Sequence, residues 1–166
     1  MKNKTLWLMV GLPGSGKTYK AKHFLMQGPG WRYVSRDEIR EKYFLENEEC
    51  ASYNSEVFEL FLYHIKEALN GEGIFNVIAD STHINWASRK KLLTNLKHEV
   101  DFNKINIVPT IVLATEETCI NRSKNENRTI IVPEHIITAM CNNFSDPVND
   151  PFHYDGLLYL HNEEEG

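Results

Sequence analysis

Cysteine is scarce in this chain: three residues, Cys50, Cys119 and Cys141, stand far apart and form no C-x-x-C pair. That spacing excludes a disulfide framework, and three reduced thiols fit a cytoplasmic protein. The seven histidines bring no metal-ligand spacing beside those cysteines either. Long apolar runs are missing too. The first, inside "MKNKTLWLMVGLPGSGK", ends in a glycine turn rather than a cleavage site, and it falls far short of the roughly 20 residues that a bilayer span needs. No membrane contact is expected. Excess positive charge is also lacking: 18 Lys and Arg stand against 23 Asp and Glu, a net charge of −5. A surface that coats nucleic acid indiscriminately is thereby excluded, which leaves room only for a local basic groove. Internal repeats and low-complexity linkers are absent, no obligatory protein partner is indicated, and 166 residues suit one domain over 1–166.

What is present is an alternation of strand and helix patterns. Residues 6–10 form an unbroken apolar run, as a parallel strand buried on both faces requires. A helix is expected over 17–27, stopped by "GPG" at 28–30. "WRYV" (31–34) reads as a second strand, with Ser35 and Asp37 placed to cap a helix through "EIREKYFL". Residues 55–73 are amphipathic, with Val57, Leu60, Phe61, His64, Ile65 and Leu69 on one face. "IFNVIAD" (74–80) reads as a strand ending in aspartate, then comes a helix in "NWASRKKLLTNLKHE" and a strand over 105–114. A short helix in "TEETCINRSK", the loop "NENRTIIVP", a helix in "PEHIITAMCNNF" begun by proline and a last strand over 157–160 complete the chain. Such an alternation implies right-handed crossovers and an α/β, three-layer fold: a mostly parallel five-stranded sheet with helices on both faces.

The chemistry starts at "GLPGSGKT". Gly11, Pro13, Gly14, Ser15, Gly16, Lys17 and Thr18 fit G-x-x-x-x-G-K-[ST], between the strand and helix that a P-loop requires. Glycines let backbone N–H groups turn inward around an anion, and the next helix adds its positive end. Lys17 can reach the β- and γ-phosphates of ATP, and the Thr18 hydroxyl can ligate Mg²⁺. No N-K-x-D guanine signature occurs, so a small ATP-using kinase is favoured over a switch GTPase.

A kinase needs a carboxylate near the acceptor hydroxyl and cations around the transferring group, both beyond the carboxyl ends of the strands. "VSRDEIR" (34–40) offers Asp37 as base and Arg40, one turn on, as an anion grip; a helix cap and a surface charge are the plainer alternatives. Asp80, ending "VIAD", suits either the Mg²⁺-side acid or an acceptor-site residue. Ser81, Thr82, His83 and Asn85 can bond substrate, yet turns favour the same residue types, and His83 reads as a turn residue rather than a base. "NRSKNENRT" (121–129) carries Arg122 and Arg128 on a basic loop that suits a lid over ATP, at about 121–133.

"GLPGSGKT", "VSRDEIR", "IADSTHIN" and "NRSKNENRT" with its following "VP" occur in the order and rough spacing of the polynucleotide 5′-hydroxyl kinase family, phage and bacterial. The chain resembles that kinase domain over nearly its whole length. The resemblance belongs within the wider zeta-toxin-like P-loop kinases. It implies that Lys17 and Thr18 bind ATP phosphates and Mg²⁺, and that Asp37 is the base on a 5′-OH. Arg40 is implied to grip the neighbouring phosphate, Arg36 to stand beside it on the acceptor, Arg128 to be the lid arginine, and Arg122 to lie near the nucleotide. Asp80 and Thr82 fall on acceptor-side positions after the third strand, where the family often reads D-x-T-N and this chain reads "DSTHIN". The acceptor so implied is a 5′-OH end of DNA or RNA. A small metabolite or sugar nucleotide, and a nucleotide-binding regulator that transfers nothing, are the other readings.

Overall fold

The computed structural model describes residues 1–44, 53–125 and 131–161. The apolar run becomes β1 (Lys4–Val10), whose Leu8, Met9 and Val10 are all buried because β3 (Asn76–Asp80) and β4 (Ile105–Leu113) flank it and helices cover it. With β2 (Trp31–Ser35) and β5 (Leu158–His161) outermost, the sheet order is β2-β3-β1-β4-β5. Every pairing is parallel. This is the α/β P-loop fold, with a sheet parallel throughout.

Side chains alternate across the sheet, so each strand feeds two cores. On one face Leu6, Leu8, Val77, Ala79, Ile105 and Ile107 pack against α3 (Asn54–Leu69) and α4 (Trp86–Leu96). On the other, Met9, Ile78 and Val112 meet Ala21 and Leu25 of the segment after the glycine loop. A third cluster, Leu12, Cys119 and Ile137, joins the loop to α5 (Glu116–Ser123) and α6 (Glu134–Asn142). Truncating a large apolar residue of such a core to alanine costs about 2–5 kcal/mol.

Two expected elements differ in detail. The helix after the glycine loop is α-helical only at α1 (Lys17–Lys20), then widens to a π-helical turn (Ala21–Leu25) that stops short of Gln27. On α3 the buried stripe runs through Val57, Phe58, Phe61, Leu62, Ile65, Ala68 and Leu69. Leu60 and His64, expected on that face, are only half-buried at its edge, because two adjacent apolar rows compete and Phe58 and Leu62 take the core.

β2 runs straight into α2 (Arg36–Phe44). Ser35 ends the strand and caps the helix, its Oγ accepting from the Glu38 N–H at 3.2 Å. Asp37, an alternative cap by sequence, therefore sits inside the first turn with its carboxylate exposed.

Candidate active site

The carboxyl ends of β1, β2 and β3 deliver the glycine loop, the start of α2 and the β3–α4 loop to one place. Between them lies a cleft of about 470 Å³. Lys17, Thr18, Arg36, Asp37, Arg40, Asn54, Asp80 and Thr82 all line it. Seven of these eight were expected from the sequence; Asn54, the first residue of α3, carried no signal of its own.

The glycine loop has the backbone an anion cradle needs. Gly14 has φ +83° and Gly16 φ +94°, left-handed values that favour glycine. A Cβ on Gly14 would stand 2.6 Å from the Cys119 carbonyl, so α5 packs directly on the loop. Arg122 of α5 adds a hydrogen bond to the Gly14 carbonyl at 3.3 Å, bracing the cradle; it is not one of the residues lining the cleft. The Gly11 N–H donates to the Thr82 carbonyl at 3.0 Å, tying the loop to the end of β3. Pro13 lines the cleft, while Gly11 and Ser15 are buried beneath it.

Thr18 Oγ1 donates to Asp80 Oδ2 at 2.8 Å, linking residues 62 positions apart. Tyr33 donates to the same oxygen, and Asp80 Oδ1 accepts no hydrogen bond from the described residues. This donor set fits magnesium. A hydroxyl that gives its proton to Asp80 keeps its lone pairs for a cation, and Mg²⁺ ordinarily takes one or two protein oxygens and completes its shell with phosphates and water. Among the described residues no cluster of three His, Cys, Asp or Glu could hold a metal ion.

Across the cleft, Arg40 holds Asp37 at 3.5 Å and donates to Asn54 Oδ1 at 2.5 Å. Arg36 reaches the Asn54 carbonyl at 3.5 Å and lies over the Phe58 ring at 5.9 Å. Burial, and then the charge of Arg40, pull the Arg36 pKa below its ordinary value. The Nε–H groups of Arg36 and Arg40 are buried without an acceptor among the described residues. Two crowded guanidinium groups with donors to spare form a place for an anion.

His83 is a buried turn residue. It has φ +42°, and its Nδ1–H donates to the Met9 carbonyl at 2.8 Å. Burial, outweighing that bond, lowers its pKa to about 4, so the ring is neutral near pH 7. Asn85 is the N-cap of α4, in a reciprocal pair with Ser88. Both are thus engaged within the fold. Arg128 lies outside the described residues, as do residues 126–130 of the expected lid.

Sequence reading missed the clamp behind this loop. Arg89 is fully buried and pairs bidentately with Asp150, at 2.7 and 2.9 Å. It also donates to the carbonyls of His83 at 2.6 Å and Ser145 at 2.8 Å. Its partners lie 56 to 61 residues away or in the loop before α4, so α4 alone shows only a basic residue in an amphipathic helix.

The AAA_33 family, an AAA domain, matches residues 6–147, and the chain belongs to it. No curated protein matches. Among solved structures, a fungal RNA kinase aligns over 99% of this chain and 78% of its own, at 14% identity and TM-score 0.63. A chain of the Pnkp1/Rnl/Hen1 RNA repair complex aligns over 86% of this chain at 18% identity and TM-score 0.68, and this chain spans 44% of it. A gluconokinase from Sinorhizobium meliloti 1021 aligns over 99% of this chain and 86% of its own, at 14% identity and TM-score 0.55. These likenesses establish a fold shared with P-loop kinases. Among the described residues no helix is long and apolar enough to cross a membrane.

Proposed function

We propose that the chain is an ATP-dependent phosphotransferase whose acceptor is the 5′-hydroxyl end of a polynucleotide. The observation that carries this reading is the shared cleft: Lys17 and Thr18 line it from the phosphate cradle, and Asp37, Arg36 and Arg40 line it from α2. A donor and a base facing one space are what in-line transfer needs.

In this reading the cradle amides and Lys17 hold the ATP phosphates. Thr18 and Asp80 would hold Mg²⁺, which supplies charge neutralisation on the phosphate oxygens when bound. Asp37 accepts the proton of the 5′-OH as its oxygen bonds to the γ-phosphorus. The bond from that phosphorus to the β–γ bridging oxygen breaks, and ADP leaves. Arg40 steadies Asp37 and, with Arg36, offers N–H donors to the phosphate that joins the terminal nucleotide to the next. Thr82 lies beside the acceptor, Arg122 keeps the cradle in shape, and Arg128 is assigned to the γ-phosphate side. The likeness in fold to an RNA kinase supports a nucleic-acid acceptor, whereas the likeness to a gluconokinase keeps a small hydroxylated metabolite as the second reading.

The test offers ATP labelled in its γ-phosphate together with 5′-OH DNA, 5′-OH RNA and a panel of sugars and nucleosides. Label on an oligonucleotide 5′ end is the expected result. Label on a sugar overturns the polynucleotide acceptor, and label on nothing overturns transfer altogether.

A further inference from the structure

Tyr33 is hidden in a strand pattern that marks it only as an apolar-face residue. It pairs in register with Ile78 of β3, and so lies on the sheet face that Asp80 shares, two residues further along β3. Its hydroxyl donates to Asp80 Oδ2, the oxygen that also takes the Thr18 proton at 2.8 Å. Asp80 is only 3% exposed, and a polar group that deep costs free energy unless hydrogen-bond donors meet it. The phenol itself is a dependable donor. The Lys22 ammonium lies over its ring, 4.9 Å from the centroid, and Lys22 is itself paired with Glu38 at 3.0 Å.

One hydrogen bond would not fix the carboxylate. Thr18 is a hydroxyl rotor, and it is the same group that a cation would draw upon. A second donor from a different strand, on a rigid ring, removes the remaining rotation. We infer that Tyr33 is a positioning residue for the metal-side carboxylate: sharing Oδ2 with Thr18, it reserves Asp80 Oδ1 for the Mg²⁺ that accompanies the nucleotide. The inference rests on the proposed phosphotransferase only in placing Mg²⁺ beside Thr18 and Asp80, and it makes no use of the acceptor.

The test is the Mg²⁺ dependence of ADP binding to the full chain, measured calorimetrically with Mg²⁺ and with a chelator. Tyr33→Phe keeps the ring beneath Lys22 and removes only the donor. Loss of such a supporting partner typically weakens metal binding about 10- to 100-fold. The apparent Mg²⁺ affinity of the ADP complex is expected to fall within that range, with metal-free ADP affinity unchanged. Asp80→Asn should weaken it as well, and the double variant should be no worse than Asp80→Asn alone, because Tyr33 acts through Asp80. A Tyr33→Phe protein that melts earlier yet keeps its Mg²⁺ dependence would overturn the inference and leave a purely structural hydrogen bond. Additive losses in the double variant would overturn it too. Since no acceptor enters the measurement, a failed 5′-OH assay and a failed Mg²⁺ titration are separate results.

Discussion

Arg89→Met would break the clamp that holds the β3–α4 loop. Arg89 is wholly buried, and the Asp150 side chain is 2% exposed. Arg89 gives Asp150 two hydrogen bonds, and after its removal Tyr154 Oη, at 2.7 Å, remains as the donor to a carboxylate cut off from water. The carbonyls of His83 and Ser145 lose a donor as well. Removing one member of a buried ion pair costs about 3–5 kcal/mol. For a chain of this size each kcal/mol lowers the melting temperature by roughly 2–4 °C, so a fall of about 6–20 °C is expected. Urea unfolding should show the midpoint falling at constant slope. The second half of the prediction is sharper. Arg89→Met combined with Asp150→Leu removes both charges and should recover much of the loss, since the penalty is mainly the stranded carboxylate. A single-variant loss below about 1 kcal/mol, the range of exposed ion pairs, would refute the burial argument. So would a double variant no better than the single one.

Other perturbations follow from the same geometry. Gly14→Ala forces a left-handed residue and a Cβ 2.6 Å from the Cys119 carbonyl, so ADP affinity should collapse while urea unfolding reports a smaller loss, about 1–2 kcal/mol from the backbone conformation alone. Arg40→Ala should raise KM about 10- to 100-fold for an acceptor bearing a phosphate beside its hydroxyl, the size of a lost charged hydrogen bond, as steady-state kinetics would read. His83 is neutral when folded, with its pKa lowered from 6.5 to about 4, so the unfolded chain binds the extra proton between those values. Its contribution is complete above pH 6.5 and shrinks as pH falls towards 4, by up to about 3 kcal/mol. His83→Asn, which tolerates the positive φ, should flatten that slope in stability measured against pH.

The cradle was legible in the sequence because its constraints are local. Left-handed turns at Gly14 and Gly16, a strand before and a helix after are written within a short stretch. The alternating pattern carried the parallel sheet for the same reason, since strands joined by helices must run parallel. The outer boundary of each reading was a long-range contact. Period alone gave α3 two adjacent apolar rows, and only the opposing sheet chose Phe58 and Leu62 over Leu60 and His64. "VIAD" left Asp80 between two roles, and its bond to Thr18, 62 residues earlier, lies beyond any local pattern. The same holds for Tyr33 and for Arg89, whose partners are set by the sheet register and by the chain near 145–150. Of the lid expected at about 121–133, residues 121–123 instead close α5, and residues 126–130 lie outside the described residues.

The central claim is that Asp37 and the phosphate cradle serve one reaction across one cleft. Asp37→Asn tests it most directly, because the side chain is 70% exposed and its exchange leaves the fold alone. General bases contribute about 10²- to 10⁴-fold, so single-turnover transfer from ATP to a 5′-OH oligonucleotide should slow by that factor with ATP affinity intact. Transfer at the wild-type rate, or a parallel loss of ATP binding, would contradict the account.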